Sequence, residues 1–244
     1  MKISVITAVF NNRAHIAEAL ESVLAQDHAD VERVVIDGGS TDGTLDILRA
    51  RQDRLGVLVS EPDRGLYDAL NKGLRLARGD VVGFLHSDDL FADAAVLSRV
   101  AAAFADPAVC AVYGDLQYVR KGDTRRVVRH WKSAPFRARL LARGWMPPHP
   151  SLYVRREWYE RIGGFDTRYR IAADYFSILQ LFSQPGFKAV YLPQVLVKMR
   201  VGGASNRSLA NIVRKSREDL DALRRSGVGG MGALAWKNLG KLGQ

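Results

Sequence analysis

The sequence predicts an α/β fold, with a mostly parallel central sheet flanked by helices in one large domain. The first half of the 244-residue chain alternates strand-like and helix-like segments with short connections, which is the pattern of a parallel sheet covered on both faces. Polar clusters follow three of the strand-like segments, and ligands bind at that end of such sheets. A hydrophobic content of 47% and a charged content of 25% exclude a disordered chain.

The first half of the chain gives four strands and four helices. Residues 3–10 form an apolar, β-branched run typical of a strand buried on both faces. Further strands are predicted at residues 31–36, 57–60 and 81–85. Apolar residues at helical spacing predict helices at residues 16–24, 45–48, 66–77 and 92–104. Ser40 or Thr41 is expected to cap the second helix.

The second half is less regular. Its predicted elements are a hairpin over 113–131, a basic helix at 137–143, an irregular loop at 145–150, a helix at 175–182 and strand segments at 189–200. The hairpin turns near Gly122, and Pro193 is expected to interrupt the last strand because proline cannot donate to a ladder. The glycines of residues 227–232 predict a flexible joint before the last segment.

The net charge of +10 is concentrated in two segments. Residues 117–143 hold nine Lys and Arg against one Asp, and residues 207–244 hold eight against three acids. This clustering indicates a polyanionic partner, such as phosphate groups, anionic lipid or nucleic acid, or else a solvated basic surface.

Cysteine usage and the apolar runs bound the class of protein. The single Cys110 excludes an internal disulfide and a cysteine zinc cluster, and its apolar surroundings predict a buried strand residue. Residues 1–7 run directly into a strand and lack the apolar stretch of a signal peptide. No segment reaches the roughly 18 apolar residues of a membrane span, so we expect a soluble or surface-attached protein.

Two polar clusters at strand ends suggest a metal and a nucleotide. Adjacent Asp88 and Asp89 repel each other unless a cation or donor compensates, and Mg²⁺ or Mn²⁺ bridging to a diphosphate would do so. A helix cap is the competing interpretation. In the Asp37-Gly38-Gly39-Ser40 cluster, glycines allow close approach of a ligand and Asp37 can accept hydrogen bonds from a base or ribose. A turn with an N-cap is the alternative.

Two further acidic segments precede helices. Asp63-Arg64-Gly65 lies where a helix N-terminus and an arginine suit a phosphate, although a surface ion pair explains it equally. Asp174 follows Gly163-Gly164-Phe165-Asp166 and begins a helix, as a capping residue does. It acts as a base only if its carboxylate faces the cleft and reaches an acceptor hydroxyl.

Together these segments resemble glycosyltransferase family 2, the inverting enzymes of GT-A fold, over most of the chain. The resemblance is nearest to bacterial members of polysaccharide gene clusters, including colanic-acid-type transferases. The matching segments are residues 4–12, 35–44, 83–89, 163–166 and 172–174. Their order and spacing carry the resemblance, since each segment alone is weak.

The resemblance implies roles for individual residues. Asp89 would bind a divalent metal, Mn²⁺ or Mg²⁺, on the donor diphosphate, Asp88 would contact ribose or the donor sugar, and Asp174 would be the general base. The implied nucleotide-sugar-binding residues are Ala8, Phe10, Asn12, Asp37, Gly38, Asp63, Arg64, Asn71, Ser87 and Asp88.

The chain departs from the family pattern at two positions. Gly38 stands where many relatives have a second acid that reads the base, which leaves the base, usually uracil or guanine, open. Ala173 replaces the Glu that often precedes the general base. Asp174 would therefore act without that neighbour.

Two segments of the second half are candidates for the acceptor or the phosphates. His149 lies between two prolines and is a candidate for the metal, the diphosphate or the acceptor, or is structural. Arg200, Ser205 and Asn206 belong to a glycine-bearing segment that is a candidate for a loop closing over phosphates.

The predicted function is transfer of a sugar from a nucleotide-diphosphate donor, of UDP or GDP type, to a glycan or a polyprenyl-diphosphate-linked glycan. Residues 1–206 would form the GT-A domain, with a nucleotide-sugar-binding half (1–112) and an acceptor-binding half (113–206). Residues 207–244 would form a basic helical extension that binds an anionic membrane, the domain or a second subunit. The expected location is cytoplasmic, at the inner face of the plasma membrane if the extension binds lipid.

Two other classes stay open at this stage. A sugar-phosphate nucleotidyltransferase also uses a metal and an α/β fold, but would carry a Gly-rich basic loop where this chain has Phe10-Asn11-Asn12. A nucleic-acid-binding module would explain the charge, but the basic segments carry no recognisable motif, so no nucleic-acid partner is expected.

Overall fold

The computed structural model describes residues 1–202 and 209–239. Its strands are β1 (Ile3–Val9), β2 (Val31–Asp37), β3 (Val57–Ser60), β4 (Val81–Phe84), β5 (Leu90–Phe91), β6 (Ala111–Arg120), β7 (Asp123–Trp131), β8 (Leu152–Arg155) and β9 (Ala189–Arg200). Its helices are α1 (Ile16–Leu24), α2 (Thr44–Arg49), α3 (Leu66–Leu76), α4 (Val96–Ala103), α5 (Arg156–Ile162), α6 (Ala173–Phe182), α7 (Leu209–Arg225) and α8 (Met231–Leu239). Short 3₁₀ turns occur at Gln52–Arg54, Ala138–Arg143 and His149–Ser151.

The strands form one sheet in the order β3-β2-β1-β4-β8-β6-β9-β5, with β7 paired to β6. The first four of these strands are parallel, and β1 is buried along its whole length between β2 and β4. Beyond β4 the sheet is mixed, because β8 runs antiparallel to both β4 and β6. The predicted strand and helix alternation of the first half is confirmed.

The predicted hairpin is present as β6 and β7, and β9 runs parallel to β6 on its other side. Pro193 lies inside β9 rather than between two strands. The pairing passes from Tyr113↔Tyr191 to Asp115↔Val195, so β9 accommodates its proline in a bulge. Cys110 is buried, as predicted, but lies immediately before β6 rather than in the strand.

Several local expectations were wrong. Neither Ser40 nor Thr41 caps α2, which begins after Gly43 at a φ of 91° without a side-chain cap. The Ser40 hydroxyl instead accepts a hydrogen bond from the Asn11 N–H. Helix α4 begins at Val96 rather than at residue 92, because the preceding residues form the short strand β5 against β9. The basic segment at 137–143 is a 3₁₀ turn, and β8 and α5 were not predicted.

The two C-terminal helices pack on the body of the protein. Helix α7 contacts α6, and α8 contacts both α7 and the 3₁₀ turn Ala138–Arg143. Lys237 pairs with Asp219 at 2.7 Å, and both side chains are almost fully buried. A Cβ added to Gly144 would lie 2.6 Å from the Ala233 carbonyl oxygen, so this close approach requires glycine. Within the described ranges, no helix is long and apolar enough to cross a bilayer.

Candidate active site

The polar clusters of the first half meet at one edge of the sheet. Strands β2 and β4 flank β1 in parallel, so their carboxyl ends lie side by side. The Asn12 side chain, after β1, donates to the Ser87 hydroxyl, after β4, at 2.9 Å. The Gly38 N–H, after β2, donates to the Val9 carbonyl at 2.9 Å. The three predicted segments therefore form one floor.

This floor is fixed by hydrogen bonds between the loops after β1 and β2. Asn11 adopts a φ of 47°, in the left-handed region that asparagine tolerates better than most residues. Its side chain accepts from the Thr41 N–H at 2.8 Å, while the Asn12 N–H donates to the Thr44 hydroxyl at 2.9 Å. Ser40 and Thr41, which do not cap α2, thus bind the loop after β1 instead.

Asp37 lies beneath the floor rather than on it. Its side chain is fully buried and accepts from the Ser60 hydroxyl at 2.6 Å and from the Ser40 N–H at 3.1 Å. The Asp37 carboxylate oxygens therefore already accept hydrogen bonds from donors of the protein itself. This carboxylate supports the loop after β2, and its predicted contact with the nucleotide stays a prediction.

Gly38 creates space for another carboxylate. A Cβ at Gly38 would lie 2.4 Å from Oδ2 of Asp63 and 3.4 Å from the Phe10 ring. The other oxygen of Asp63 accepts from the Gly65 N–H at 2.8 Å, directly before α3. Phe10 is 63% exposed, which is unusual for a large apolar side chain. Asp63 and Phe10 therefore offer an acceptor and an aromatic face beside Gly38.

Asp89 is a buried acidic residue of the site. It is 1% exposed, and neither of its carboxylate oxygens has a hydrogen-bond partner among the described residues. Burial raises the pKa of Asp89 well above its usual range, and the charge of Asp88 raises it further. The buried Arg200 guanidinium donates to the Asp88 carbonyl and pairs with Glu18. The charge of Arg200 and its main-chain N–H lower the pKa of Asp89, but burial outweighs both, so the ionised carboxylate is only partly compensated.

These residues fit a divalent cation only together with a diphosphate. Within residues 1–202 and 209–239, no group of three or more His, Cys, Asp or Glu side chains could hold a metal alone. Mg²⁺-type sites commonly use one or two carboxylates, with substrate phosphates and water completing the shell. An unpaired buried carboxylate at Asp89 suits that arrangement.

Asp174 lies in the first turn of α6, facing the N-terminal end of α3. The Tyr67 hydroxyl donates to Oδ1 of Asp174 at 3.1 Å and to the Ile171 carbonyl at 2.7 Å. Burial raises the pKa of Tyr67 far above its usual range, and the Asp174 charge raises it further. Tyr67 therefore remains a neutral phenol that orients Asp174.

A row of aromatic rings joins the two acidic groups. Tyr67, which donates to Asp174, lies 5.7 Å from Phe165, and Phe165 meets His149, whose ring is 6.2 Å from His86 in the loop after β4. Desolvation lowers the pKa of His86, whereas the charges of Asp88 and of Asp174 raise it. The acid of α6 and the loop after β4 therefore border the same aromatic cluster.

His149 is enclosed by aromatic rings. It stacks on Phe84 at 5.1 Å, meets Phe165 edge-on at 5.6 Å and lies 6.2 Å from His86. Burial lowers the pKa of His149 to about 4, so the ring is neutral at physiological pH. Its Nε2 has no partner within the described part of the chain. A neutral imidazole with a spare nitrogen can serve as a ligand or an acceptor.

The neutral state of His149 makes stability depend on pH. Because the folded pKa is below the unfolded value of about 6.5, the unfolded chain binds the extra proton, and stability is fully present above pH 6.5. We expect a loss of about 2 kcal/mol at pH 5 from this group, reduced in His149→Gln. Urea unfolding at pH 7 and pH 5 measures it, and equal pH slopes in both proteins would contradict it.

The remaining predicted site residues differ in their surroundings. Arg64 is exposed and pairs with Asp68 at 3.0 Å. The Asn71 side-chain amide donates to the Phe165 carbonyl and accepts from the Phe165 N–H, both at 2.8 Å. These two hydrogen bonds give Asn71 a structural role that does not involve a nucleotide. Ser205 and Asn206 lie outside the described residues. Ala8 is buried near the end of β1.

The sequence profile of glycosyl transferase family 2 matches residues 4–170, a segment that contains all of the floor and His149. This chain belongs to that family. It is a glycosyltransferase.

Curated relatives agree with this assignment. A PGL/p-HBAD biosynthesis glycosyltransferase of Mycobacterium bovis (strain BCG / Pasteur 1173P2) is 35% identical over 208 residues, covering 83% of this chain and 78% of that protein. An uncharacterized glycosyltransferase of Nostoc sp. is 31% identical over 218 residues, covering 84% of this chain and 66% of that protein.

Solved structures confirm the GT-A fold. TarS of S. aureus in complex with UDP has a TM-score of 0.67 and 20% identity, over 91% of this chain and 65% of that one. The mannosyltransferase PcManGT from Pyrobaculum calidifontis, solved with GDP-Man and Mn²⁺, has a TM-score of 0.66 and 26% identity. It is matched over 92% of this chain and 64% of its own. This glycosyltransferase thus spans about two thirds of the solved chains.

Sequence reasoning missed three residues of the glycosyltransferase site. Tyr67 and Glu218 belong to no motif, and His86 lies in the matching segment 83–89 but received no role there. Tyr67 is 107 residues from Asp174 along the chain, and only the fold brings the two side chains together.

Proposed function

We propose that this glycosyltransferase moves a sugar from a nucleotide-diphosphate donor to a hydroxyl of a glycan acceptor, with inversion at the anomeric carbon. The observation that carries the proposal is the row of aromatic rings from Tyr67 to His86, which joins the hydrogen-bonded Asp174 carboxylate to the acidic loop after β4. A displacement of this kind needs a base on one side of the sugar and charge compensation on the other.

Asp174 would take the proton of the acceptor hydroxyl. Its carboxylate is half-buried and held by the Tyr67 hydroxyl through Oδ1. The acceptor oxygen then attacks the anomeric carbon from the face opposite the nucleotide. Packing of Phe84, His149 and Phe165 around the cleft would exclude water that competes with the acceptor.

The leaving diphosphate would lie against the loop after β4. Asp89 would hold a divalent cation, Mn²⁺ or Mg²⁺, which neutralises charge on the diphosphate when bound. Arg200 fixes the Asp88 main chain from below, so this acidic loop is held in place by the last strand of the sheet. Asp88 remains half-exposed and suited to contact ribose or sugar hydroxyls.

Asp63 would read the base in place of the acid missing at Gly38. Its carboxylate fills the space that a side chain at Gly38 would occupy, next to the exposed Phe10 ring. A carboxylate accepts hydrogen bonds from the ring N–H of uracil or guanine. The solved relatives bind UDP and GDP-Man, which supports a donor of UDP or GDP type here.

The test is nucleotide release. UDP- and GDP-sugars are incubated with the full chain, Mn²⁺ and sugar acceptors, and free nucleoside diphosphate is measured. Release that needs the metal supports the proposal. Pyrophosphate release from a nucleoside triphosphate in the presence of a sugar 1-phosphate, measured in a parallel assay, would point to a nucleotidyltransferase. Family membership favours the glycosyltransferase over that alternative and over a nucleic-acid-binding module.

The acceptor proposal extends to a lipid-linked glycan of the bacterial cell surface, made at the cytoplasmic face of the membrane. Helix α8 exposes Met231 and Trp236 by 64% and 61%, and Arg143 lies 5.9 Å above the Trp236 ring. Arg137, directly before the adjoining 3₁₀ turn, and Arg139 within it are also exposed. Exposed apolar side chains among basic ones suit an anionic membrane surface.

Point variants test this surface without removing the buried Lys237. We expect Met231→Ser with Trp236→Ser to lower binding to phosphatidylglycerol vesicles at least threefold, because the apolar anchors are lost. Leu76→Ser, which removes another exposed apolar residue, serves as the control. Equal co-sedimentation of all three proteins would contradict the proposal, and dimers that dissociate in the double variant would assign the face to a second subunit.

A further inference from the structure

Glu218, on α7, binds the segment that leads into the candidate base. Its carboxylate accepts hydrogen bonds from three consecutive main-chain N–H groups, those of Arg170 at 3.2 Å, Ile171 at 2.8 Å and Ala172 at 3.0 Å. Helix α6 begins at the next residue, and Asp174 is its second residue. The Glu218 side chain therefore binds all three residues that directly precede α6.

The same segment is bonded to Asp174 through Tyr67. The Tyr67 hydroxyl donates both to the Ile171 carbonyl and to Asp174. Glu218 thus binds the N–H of Ile171, while Tyr67 bonds its carbonyl and the base. Residue 173 is Ala, so no carboxylate directly before Asp174 takes part.

Helix α7 is a rigid support for Glu218. The buried Asp219–Lys237 pair anchors it to α8, Asp221 accepts from the Tyr169 hydroxyl at 2.6 Å, and Arg225 pairs with Asp166 at 3.1 Å. These contacts fix the helix on both sides of the segment at 170–172. The carboxylate also lies at the positive N-terminal end of α6, which favours its charge.

We propose that Glu218 is a positioning residue, which sets the main chain at 170–172 and thereby aims the Asp174 carboxylate at the acceptor hydroxyl. This inference rests on the proposed role of Asp174 as the base. Misplacement of a reacting group by about 1 Å can cost up to about 100-fold in rate. The C-terminal helices would therefore belong to the catalytic machinery rather than only to a surface extension.

Three variants separate position from charge. Glu218→Gln keeps the length and the acceptor for Ile171 and Ala172 but loses the charge. Glu218→Asp keeps the charge but is one methylene too short to span three N–H groups. Glu218→Ala removes both. We expect kcat to fall about 10- to 100-fold in the Ala variant and by a smaller factor in the Asp variant, and to stay within about threefold of wild type in the Gln variant.

The assay is Mn²⁺-dependent nucleotide release from UDP-glucose or GDP-mannose, whichever the wild type accepts, with the Kd for the free nucleotide measured in parallel. We expect that Kd to change less than twofold, because Glu218 is remote from the floor. Arg217→Ala is the control on the same helix, since Arg217 directly precedes Glu218 but is exposed.

Three outcomes overturn the proposal: a kcat within twofold of wild type in Glu218→Ala, an equal loss of kcat in Arg217→Ala at a temperature where both are folded, or a Gln variant as slow as the Ala variant. If the Ala variant does not fold, the same test is made with the other two variants, in which kcat must be higher for Glu218→Gln than for Glu218→Asp. Asp174→Asn is assayed alongside. Normal turnover in that variant would remove the proposed base itself, which is a separate failure.

Discussion

Replacing Asp174 with Asn is expected to lower kcat by about 100-fold or more, while the Kd for the nucleotide stays within about twofold. Asn keeps the shape of the side chain and can accept from Tyr67, but it cannot take a proton. Asp174 lies on α6, whereas the residues of the floor follow β1, β2 and β4, so we expect donor binding not to need its charge. Steady-state release of UDP or GDP, with isothermal titration of the nucleotide, separates the two effects.

Asp106→Asn is the control for this variant. Asp106 is exposed, and its carboxylate pairs with Lys188 at 2.7 Å. We expect this control to keep turnover. If Asp174→Asn were as fast as Asp106→Asn, the base would have to be another group, and neutral His149 would be the first candidate.

The sequence determined the fold to a large extent because the first half has strong local signals. Apolar β-branched runs and helical spacing predict β1 to β4 and the helices between them, and the structure places all of them. The errors occur in elements that form only through contacts between residues far apart in the sequence. Strand β8 is only four residues long and exists because β4 and β6 bind it on both sides. No local pattern marks such a strand.

The site residues that directly follow strands could be predicted from the sequence. Those that only tertiary packing brings to the site could not. Asp88, Asp89 and Asn12 follow strands, so their meeting at one edge follows from topology. Asp63 takes the space over Gly38 from 25 residues away, which only the geometry of the loop before α3 reveals. The departure at Gly38 was visible in the sequence, but its compensation was not.

The two basic segments illustrate the same limit. The sequence shows them as separate clusters, whereas the structure packs the 3₁₀ turn Ala138–Arg143 against α8. The same packing requires Gly144 to touch Ala233. A charge count identifies how much positive charge a chain carries, but tertiary contacts decide which charges share a face.

Asp89→Asn is expected to have opposite effects on the free protein and on its complex with nucleotide. Because burial raises the pKa of Asp89 above its usual range, the charged carboxylate costs folding free energy at neutral pH, and Asn removes that cost. The variant should therefore melt at the same temperature as wild type or higher without ligand. Wild type at 100 times Kd of UDP or GDP with Mn²⁺ should gain about 3 kcal/mol, or roughly 5–10 °C in Tm.

That gain should disappear in Asp89→Asn, because a neutral amide cannot replace a carboxylate ligand of a hard cation. Thermal shift with nucleotide alone, with Mn²⁺ alone and with both measures the metal-dependent part directly. Asp93→Asn is the matched control, since Asp93 lies four residues later and its carboxylate pairs with Arg99 at 2.9 Å. A full metal-dependent shift in Asp89→Asn would mean that the unpaired buried carboxylate does not bind a cation, and the proposed arrangement of the diphosphate would fail with it.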